Sequence, residues 1–226
     1  MSRIRHALIL AAGRGNRMMP LTEDLPKPMA PYLDTTLIAE GISRVRGHID
    51  HVHVTVGYKG AMLAHHLVEQ RVDTIINTEG QPNCWWIHNT VLRQLDEPIF
   101  VLTCDNVTDL DFALLAADYA DAGEPAGMLV PVRPVPGLEG DYIRAEGQLV
   151  TGVSRTDVSE VYCSGIQVLN PARVAELVDP AADFYGIWSQ LIALGELFVS
   201  RVYPKQWLTF DTIEDLSRAT KPSVEA

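Results

Sequence analysis

Hydrophobic and polar residues follow two alternating patterns along the chain. Short runs of β-branched and other apolar residues end at glycine or at polar residues, which is typical of buried strands. Between these runs, apolar residues recur every three or four positions, which is typical of amphipathic helices. The predicted strands of the first part are Ala7–Ala12, His51–Val56, Val72–Ile76, Ile99–Thr103 and Gly127–Val132. The predicted helices between them are Thr36–Val45, Ala61–Val68, Trp86–Leu95 and Asp111–Tyr119.

This alternation predicts an α/β fold, with a mostly parallel central sheet and helices on both of its faces. In the second part of the chain the pattern changes to a late α+β elaboration. Its predicted elements are a hairpin of Tyr142–Ala145 and Leu149–Ser154, a strand over Val161–Leu169 and the helices Pro171–Val178, Tyr185–Leu194 and Ile213–Ala219. Because no linker, repeat or low-complexity run interrupts the chain, we expect a single domain over residues 1–226.

The composition excludes several classes of protein. Of the 226 residues, 47% are hydrophobic and 21% are charged, which is ordinary for a globular chain and argues against disorder. The net charge of −11 disfavours nucleic acid and anionic membranes as partners, since both carry negative charge. The three cysteines lie far apart without a CxxC pair, and the longest early apolar run is too short for a signal-peptide core. We therefore expect a cytoplasmic protein.

The first predicted strand leads into a glycine-containing loop that carries positive charge. Gly13 and Gly15 allow the backbone to approach a ligand closely, and successive backbone N–H groups can then bind an anion. Arg14, Arg17 and Lys27 concentrate positive charge in a chain that is otherwise acidic, and two prolines bracket Lys27. The combination predicts a cradle for a triphosphate.

Two other phosphate-binding motifs fit this loop less well. A Gly-x-Gly after a strand is common by itself, and the dinucleotide fingerprint needs a third glycine where this chain has Met18. A dinucleotide-dependent oxidoreductase is therefore disfavoured. The Walker A motif does not occur, because no Gly-Lys is followed by Ser or Thr.

The loop continues into Pro20-Leu21-Thr22 and Pro26-Lys27-Pro28, and these segments together resemble the signature of sugar-1-phosphate nucleotidyltransferases. Within that family the resemblance is greatest to the N-acetylmuramate 1-phosphate uridylyltransferase and heptose 1-phosphate guanylyltransferase type. The resemblance implies a Rossmann-like fold, with a nucleotide-binding part at about residues 1–135 and an acceptor-binding part at about 136–226. It also implies that an NTP and a sugar 1-phosphate react to give an NDP-sugar and diphosphate. The partners are then an NTP and a small phosphorylated acceptor, and the protein is a monomer or homodimer.

The resemblance assigns roles to residues of the loop and of a later segment. Arg17 and Lys27 are the expected catalytic cations, with Arg17 on the β- and γ-phosphates and Lys27 on the α-phosphate. The residues expected to contact the nucleotide are Ala11, Ala12, Gly13, Arg14, Gly15, Asn77, Gln81 and Asn83.

Two aspartates are candidates for binding Mg²⁺. Asp105 follows the predicted strand Ile99–Thr103, and a carboxylate at a strand end can hold this ion. The resemblance implies that Asp105 and Asp211 are the metal ligands, although Thr209 stands where relatives commonly carry the second acid. Each aspartate also has a simpler interpretation. Asp105 could cap the following turn, and Asp211 or Thr212 could be the N-cap of the last helix.

The expected acceptor residues lie in several segments of the chain. They are Trp85, Trp86, Asn106, Asp141, Arg155 and Gly165. Arg155 stands where many relatives place a lysine on the sugar phosphate, but it could equally be an exposed surface arginine. The two tryptophans could stack on the base, form a wall for the acceptor or bind a quaternary ammonium group. Alternatively, one of them belongs to the core. The histidine pairs lack an obvious third ligand, so no zinc site is expected.

Two other functions stay open. The aromatic pair favours a cytidylyltransferase that acts on phosphocholine or an aminoalkyl phosphonate. A non-catalytic nucleotide-sugar sensor is disfavoured because Arg17, Lys27, Asp105 and Asp211 occur together, and a sensor has no need of the metal.

Overall fold

The computed structural model describes residues 3–135 and 138–219. The strands are β1 (His6–Leu10), β2 (Pro31–Tyr32), β3 (Thr35–Thr36), β4 (His51–Val56), β5 (Thr74–Asn77), β6 (Ile99–Thr103), β7 (Asn106–Asp109), β8 (Gly127–Val132), β9 (Tyr142–Glu146), β10 (Leu149–Ser154), β11 (Tyr162–Leu169), β12 (Leu197–Val199) and β13 (Gln206–Thr209). The helices are α1 (Leu21–Asp24), α2 (Leu37–Arg46), α3 (Gly60–Glu69), α4 (Trp86–Asn89), α5 (Phe112–Asp121), α6 (Pro171–Leu177), α7 (Phe184–Leu194) and α8 (Ile213–Ala219). None of the helices in these two stretches has the length and apolar character needed to cross a bilayer. The predicted start of the acceptor-binding part at residue 136 and its residues 220–226 lie outside the described residues.

The central sheet has the strand order β5-β4-β1-β6-β11-β8-β12-β10-β9. Strands β5, β4, β1 and β6 are parallel neighbours, whereas β11 runs antiparallel to both β6 and β8. Strand β12 is parallel to β8, and the hairpin of β9 and β10 completes the edge. Among the described strands of this sheet, seven of nine therefore point in one direction, and β10 and β11 are reversed. This confirms the predicted α/β fold with a mostly parallel sheet.

Hydrophobic cores lie on both faces of the sheet, because successive residues of a strand point to opposite faces. Ala7 and Ile9 of β1 pack in one core with α2, α3 and α5. Leu8 packs in the other core with α4, α6 and α7. Strand β6 alternates in the same way, with Phe100 in the first core and Val101 in the second. The predicted placement of helices on both faces follows from this alternation.

A third, smaller hydrophobic cluster lies beside the glycine-containing loop. It consists of Met18, Ala30, Tyr32, Leu37, Val107, Phe210 and Leu216. Met18 anchors the loop, Val107 belongs to β7, and Phe210 follows β13. This cluster therefore joins the loop near the start of the chain to the segment near residue 210.

The structure differs from the predicted elements in two respects. The predicted helix Trp86–Leu95 is wrong, because α4 ends at Asn89 and a 3₁₀ turn begins at Val91. The Thr90 hydroxyl donates to the carbonyl of Trp86 at 2.8 Å and accepts from the amide of Leu92, so its side chain replaces backbone hydrogen bonds at the break. The sequence also failed to predict α1, β2, β3, β7, β12 and β13, which are too short for a recognisable periodic pattern.

Candidate active site

The loop after β1 is held in place by hydrogen bonds to its neighbours. The amide of Ala11 donates to the Thr55 hydroxyl of β4 at 3.0 Å. Gly15 has a left-handed conformation with φ of 69°, and the Thr22 hydroxyl donates to its carbonyl at 3.1 Å. The Tyr58 hydroxyl in turn donates to the Thr22 carbonyl at 2.8 Å. The loop is thus fixed by side chains from α1 and from the end of β4.

Lys27 and two aspartates form the centre of the site. The Lys27 ammonium lies 2.7 Å from Oδ2 of Asp105 and 3.0 Å from Oδ1 of Asp211. Nη2 of Arg17 lies 2.8 Å from the same Asp211 oxygen. Lys27 is only 8% exposed, whereas the side chain of Arg17 is 71% exposed. The structure therefore brings together the two expected catalytic cations and the two aspartates that are candidates for binding the metal.

The charge on Lys27 is stabilised by its partners. Burial disfavours the ammonium, but the nearby carboxylates of Asp105 and Asp211 outweigh burial and raise the pKa of Lys27 above its ordinary value. Lys27 is therefore a permanent cation at neutral pH. A neighbouring thiol is inert, because burial first and the charge of Asp105 second raise the pKa of Cys104.

Asp105 and Asp211 come from distant parts of the sequence but are joined by backbone pairing. Asp105 follows β6, and β7 begins at the next residue and pairs antiparallel with β13. The amide of Phe210 donates to the Asp105 carbonyl at 3.0 Å, which continues this pairing to the residue before Asp211. The pairing and the buried Phe210 ring together place both carboxylates beside Lys27.

The hydrogen bonds at the start of the last helix show which residue caps it. The Asp215 amide donates to the Thr212 hydroxyl at 3.2 Å, and the Asp215 carboxylate accepts from the Thr212 amide at 2.8 Å. This reciprocal pair resembles a capping box. Thr212 therefore caps the helix, and the side chain of Asp211 faces Lys27 and Arg17.

A cavity of about 520 Å³ lies over the loop and the carboxylates. Its lining includes Ala12, Gly13, Gly15, Gln81 and Asn83, all expected to contact the nucleotide, together with Arg17 and Lys27. The structure also places Asn16, Thr78 and Gly80 there. The loop between Ala12 and Arg17 therefore forms one wall of this cavity.

Three residues expected at the nucleotide lie outside the lining of this cavity in the described part of the chain. Ala11 is buried, and its amide is bonded to Thr55. The guanidinium of Arg14 stacks over the Tyr58 ring at 5.1 Å from its centre. Asn77 accepts from the amide of Glu79 at 2.9 Å, so its side chain shapes the following turn.

A second cavity of about 350 Å³ adjoins the first. Both are lined by Arg17, Asn83, Thr103, Asp105 and Asp211. The second cavity also reaches Asn106, Asp141, Arg155 and Gly165, which are four of the six expected acceptor residues. The two cavities therefore meet at the Lys27 partners.

Trp85 and Trp86 do not have the expected position. Trp86 is 1% exposed and packs in the core beside α6 and α7. Trp85 is half-buried, and neither tryptophan is among the described residues that line the two cavities. The expectation of an acceptor contact is thus wrong for Trp86, because α4 turns its ring to the apolar face of the sheet.

Asp141, Arg155 and Tyr185 form a group on the wall of the second cavity. Nε of Arg155 donates to Oδ1 of Asp141 at 3.1 Å, and the Tyr185 hydroxyl donates to the same oxygen. Burial and this hydrogen bond raise the pKa of Tyr185, so the hydroxyl stays protonated. Because Asp141 offsets the charge of Arg155, this wall is a hydrogen-bonding surface rather than a free positive charge.

Comparison with known proteins identifies the family of this chain. The family model for nucleotidyl transferases matches residues 6–138. The chain belongs to the nucleotidyl transferase family. Its curated relatives include the mannose-1-phosphate guanylyltransferase catalytic subunit beta of Xenopus tropicalis, which is 24% identical over 225 residues. That match covers 90% of this chain and 62% of the relative. The bifunctional protein GlmU of Methanococcus maripaludis (strain S2) is 31% identical over 112 residues, which cover 50% of this chain and 24% of the relative.

Solved structures share the fold of this nucleotidyl transferase. The inositol-1-phosphate CTP transferase from T. maritima superimposes with a TM-score of 0.76 at 14% identity, covering 100% of this chain and 99% of that one. A UDP-glucose pyrophosphorylase complexed with UDP-glucose gives a TM-score of 0.74 at 14% identity, and the match covers 96% of this chain and 97% of that one. The fold therefore extends beyond the segment that the family model matches.

Sequence reasoning missed several residues that line the second cavity of this nucleotidyl transferase. Tyr185, Trp188 and Trp207 supply aromatic surface, and Trp207 also donates from Nε1 to the Ser164 carbonyl at 2.8 Å. Trp207 stands two residues before Thr209 and four before Asp211, so the motif around Asp211 was the available signal. Tyr185 and Trp188 carried no such signal, because they occur within an ordinary amphipathic helix pattern.

Proposed function

We propose that the protein joins an NTP and a sugar 1-phosphate to give an NDP-sugar and diphosphate. The observation that carries this proposal is the position of the Lys27 ammonium between Asp105 and Asp211, where the two cavities meet. The first cavity has the backbone and cations suited to a triphosphate, and the second has hydrogen-bonding groups suited to a polyhydroxyl acceptor. The reacting phosphates then lie at the junction.

The reaction needs no protein base. An oxygen of the acceptor phosphate, already ionised at neutral pH, attacks the α-phosphorus of the NTP. The bond from that phosphorus to the oxygen bridging the β-phosphate breaks, and diphosphate leaves with the electron pair. Catalysis consists of positioning and charge stabilisation. In this proposal Lys27 contacts the α-phosphate, and Arg17 and the loop amides contact the β- and γ-phosphates.

Asp105 and Asp211 fit a Mg²⁺ ion. Both carboxylates already converge on one cation, the Lys27 ammonium. Mg²⁺ typically takes one or two carboxylates and completes its shell with water and phosphate oxygens. Within residues 3–135 and 138–219, no group of three or more His, Cys, Asp or Glu side chains could hold a metal ion, and Asp105 and Asp211 are the two residues that would hold Mg²⁺. When bound, the ion supplies positive charge to the phosphate oxygens.

The division into parts follows the two cavities. The proposed nucleotide-binding part, at about residues 1–135, supplies the lining of the first cavity except Asp211. The proposed acceptor-binding part, at about 136–226, supplies Asp141, Arg155, Gly165 and Tyr185 to the second cavity.

The free state of Cys84, Cys104 and Cys163 supports a reducing compartment, and we place the reaction in the cytoplasm.

Diphosphate release tests the proposal. Purified protein with Mg²⁺ and each of four NTPs is offered a panel of sugar 1-phosphates, with inositol 1-phosphate and phosphocholine included. We expect release with at least one pair, and release only with phosphocholine would favour the amino-alcohol alternative. Absence of NTP binding would contradict the proposal and favour a sensor.

Substitutions make the test specific. Asp105→Asn, Lys27→Ala and Arg17→Ala are each expected to lower turnover by at least ~100-fold, the usual cost of removing one charge-stabilising contact. Asp109→Asn is the matched control, because Asp109 is an exposed carboxylate on the adjacent strand β7. Full activity of Asp105→Asn would contradict the assignment of the metal ligands.

A further inference from the structure

The two carboxylates that fit the metal are already neutralised by the protein itself. Asp105 and Asp211 both contact Lys27, and Asp211 also contacts Arg17. Lys27 supplies a full positive charge at distances of 2.7 and 3.0 Å, which are typical of charge-assisted hydrogen bonds. A cation that approaches these carboxylates from solution meets an ammonium in the place between them.

Lys27 has little freedom to move aside. Its side chain is buried, and Gly15 packs so closely on it that an added Cβ would lie 2.7 Å from the Lys27 Cβ. Lys27 opens the 3₁₀ turn Lys27–Met29 and lies between Pro26 and Pro28. The backbone is therefore fixed, and only the end of the side chain can change partners.

The alternative partner for the ammonium lies in the same cavity. Lys27 lines the first cavity, the one proposed to bind the nucleotide, together with Gly13 and Gly15. A triphosphate bound there offers oxygens that compete with Asp105 and Asp211 for the Lys27 charge. An uncharged ligand offers no such exchange, because a buried ammonium without an anionic partner is costly.

We propose that Lys27 keeps the metal site closed until the nucleotide arrives. In the nucleotide-free protein the ammonium serves as the counter-ion of Asp105 and Asp211, and divalent cations bind weakly. When the triphosphate binds, Lys27 moves to a phosphate oxygen and the carboxylates become free to hold the ion. Because such coupling is reciprocal, metal and nucleotide strengthen each other's binding. This inference rests on the proposed function for the identity of the nucleotide.

Binding of Mn²⁺ without nucleotide tests the proposal. The free ion is followed by electron paramagnetic resonance in titrations of wild-type protein, Lys27→Met and Lys205→Met. Lys27→Met removes the charge and retains a chain of similar length, and Lys205→Met is the matched control because Lys205 is exposed. We expect Lys27→Met to bind Mn²⁺ at least ~10-fold more tightly than wild type, as loss of a cation at such short distance predicts, with no change for Lys205→Met. Equal or weaker binding by a folded Lys27→Met would overturn the proposal.

The wild-type protein provides a second test that does not depend on the folding of that variant. We expect its nucleotide-free form to show the same weak Mn²⁺ binding as Asp105→Asn. Tight binding by wild type that Asp105→Asn abolishes would contradict the closed site. Neither titration requires an acceptor or turnover. A gain of Mn²⁺ affinity in Lys27→Met, combined with no diphosphate release by wild type, would therefore support the closed site while overturning the proposed reaction.

Discussion

Gly15 lies directly against the side chain of Lys27. A Cβ at Gly15 would come within 2.7 Å of the Lys27 Cβ, and Gly15 also has a positive φ of 69°. An alanine there must therefore adopt a strained backbone conformation and displace the lysine as well.

Gly15→Ala is expected to lower turnover by at least ~100-fold and to destabilise the protein by about 1–3 kcal/mol. Gly147→Ala is the matched control, because Gly147 has a φ of 63° with nothing within 4 Å of an added Cβ. Gly147→Ala should lose stability only through its strained backbone conformation, and it should keep its activity. Kinetics and urea unfolding of both variants make the comparison. Equal activity of the two variants would show that the contact with Lys27 does not matter.

Tyr185→Phe is expected to weaken acceptor binding selectively. The variant removes the hydroxyl that donates to Asp141 and leaves Arg155 as the remaining described donor to that oxygen. We expect the KM for the acceptor to rise about 3- to 10-fold, the range for loss of one hydrogen bond. The kcat and the KM for the NTP should not change. Tyr203→Phe is the control because Tyr203 is exposed, and a changed KM for the NTP would contradict the assignment of Tyr185 to the acceptor cavity.

Asp211 and Thr212 are neighbours with different expected effects. Thr212→Ala removes the cap of α8 and should lower the free energy of unfolding by about 1 kcal/mol with activity retained. Asp211→Asn should lower turnover by at least ~100-fold with a smaller effect on stability. Thermal unfolding and steady-state kinetics of both variants separate the two roles. The assignment fails if Thr212→Ala is the variant that loses activity.

Three stacked histidines predict a loss of stability in acid. His6 stacks on His51 and on His53, and Nδ1 of His6 lies 3.0 Å from Nε2 of His53. Burial, followed by the charge of His6, lowers the pKa of His53 to about 4, while Asp73 opposes the shift weakly. The unfolded chain binds a proton on His53 near pH 6.5, whereas the folded protein does so only near pH 4. The contribution of His53 is therefore complete above about pH 6.5 and is lost as the pH falls toward 4.

Urea unfolding between pH 7 and pH 4.5 measures this contribution. The full shift of the His53 pKa corresponds to about 3 kcal/mol of stability. We therefore expect the free energy of unfolding to fall between pH 7 and pH 4.5 by a large fraction of that amount. The matched variant is His53→Phe, which keeps a ring and removes the titrating group. Its stability should fall less steeply, and parallel pH profiles for the two proteins would contradict the prediction.

The sequence predicted the sheet and the charged centre because both leave local signals. Buried strands such as Ile99–Thr103 appear as continuous apolar runs, and the loop residues Arg17 and Lys27 stand out in an acidic chain. Asp105 could be placed because ligands bind at the carboxyl ends of parallel strands.

The remaining features depend on contacts that no local pattern encodes. The exclusion of Trp86 from the cavity depends on which face α4 presents to the sheet, and the break after Asn89 depends on one hydroxyl of Thr90. Tyr185 reaches Asp141 only because α7 packs beside the hairpin of β9 and β10. Such relationships follow from tertiary packing rather than from spacing along the chain.

The contact between Arg17 and Asp211 joins residues 194 positions apart. The last strand of the central sheet ends at Val199, before the segment that carries Asp211 has been synthesised. A ribosome therefore delivers all the strands of that sheet before it delivers the second carboxylate. A message truncated directly after the codon for Val199 would encode a chain that has every strand of the central sheet but lacks the second carboxylate. Such a product would also lack Phe210 and Leu216, which pack against the glycine-containing loop, so the last residues of the chain complete both the hydrophobic cluster and the proposed site.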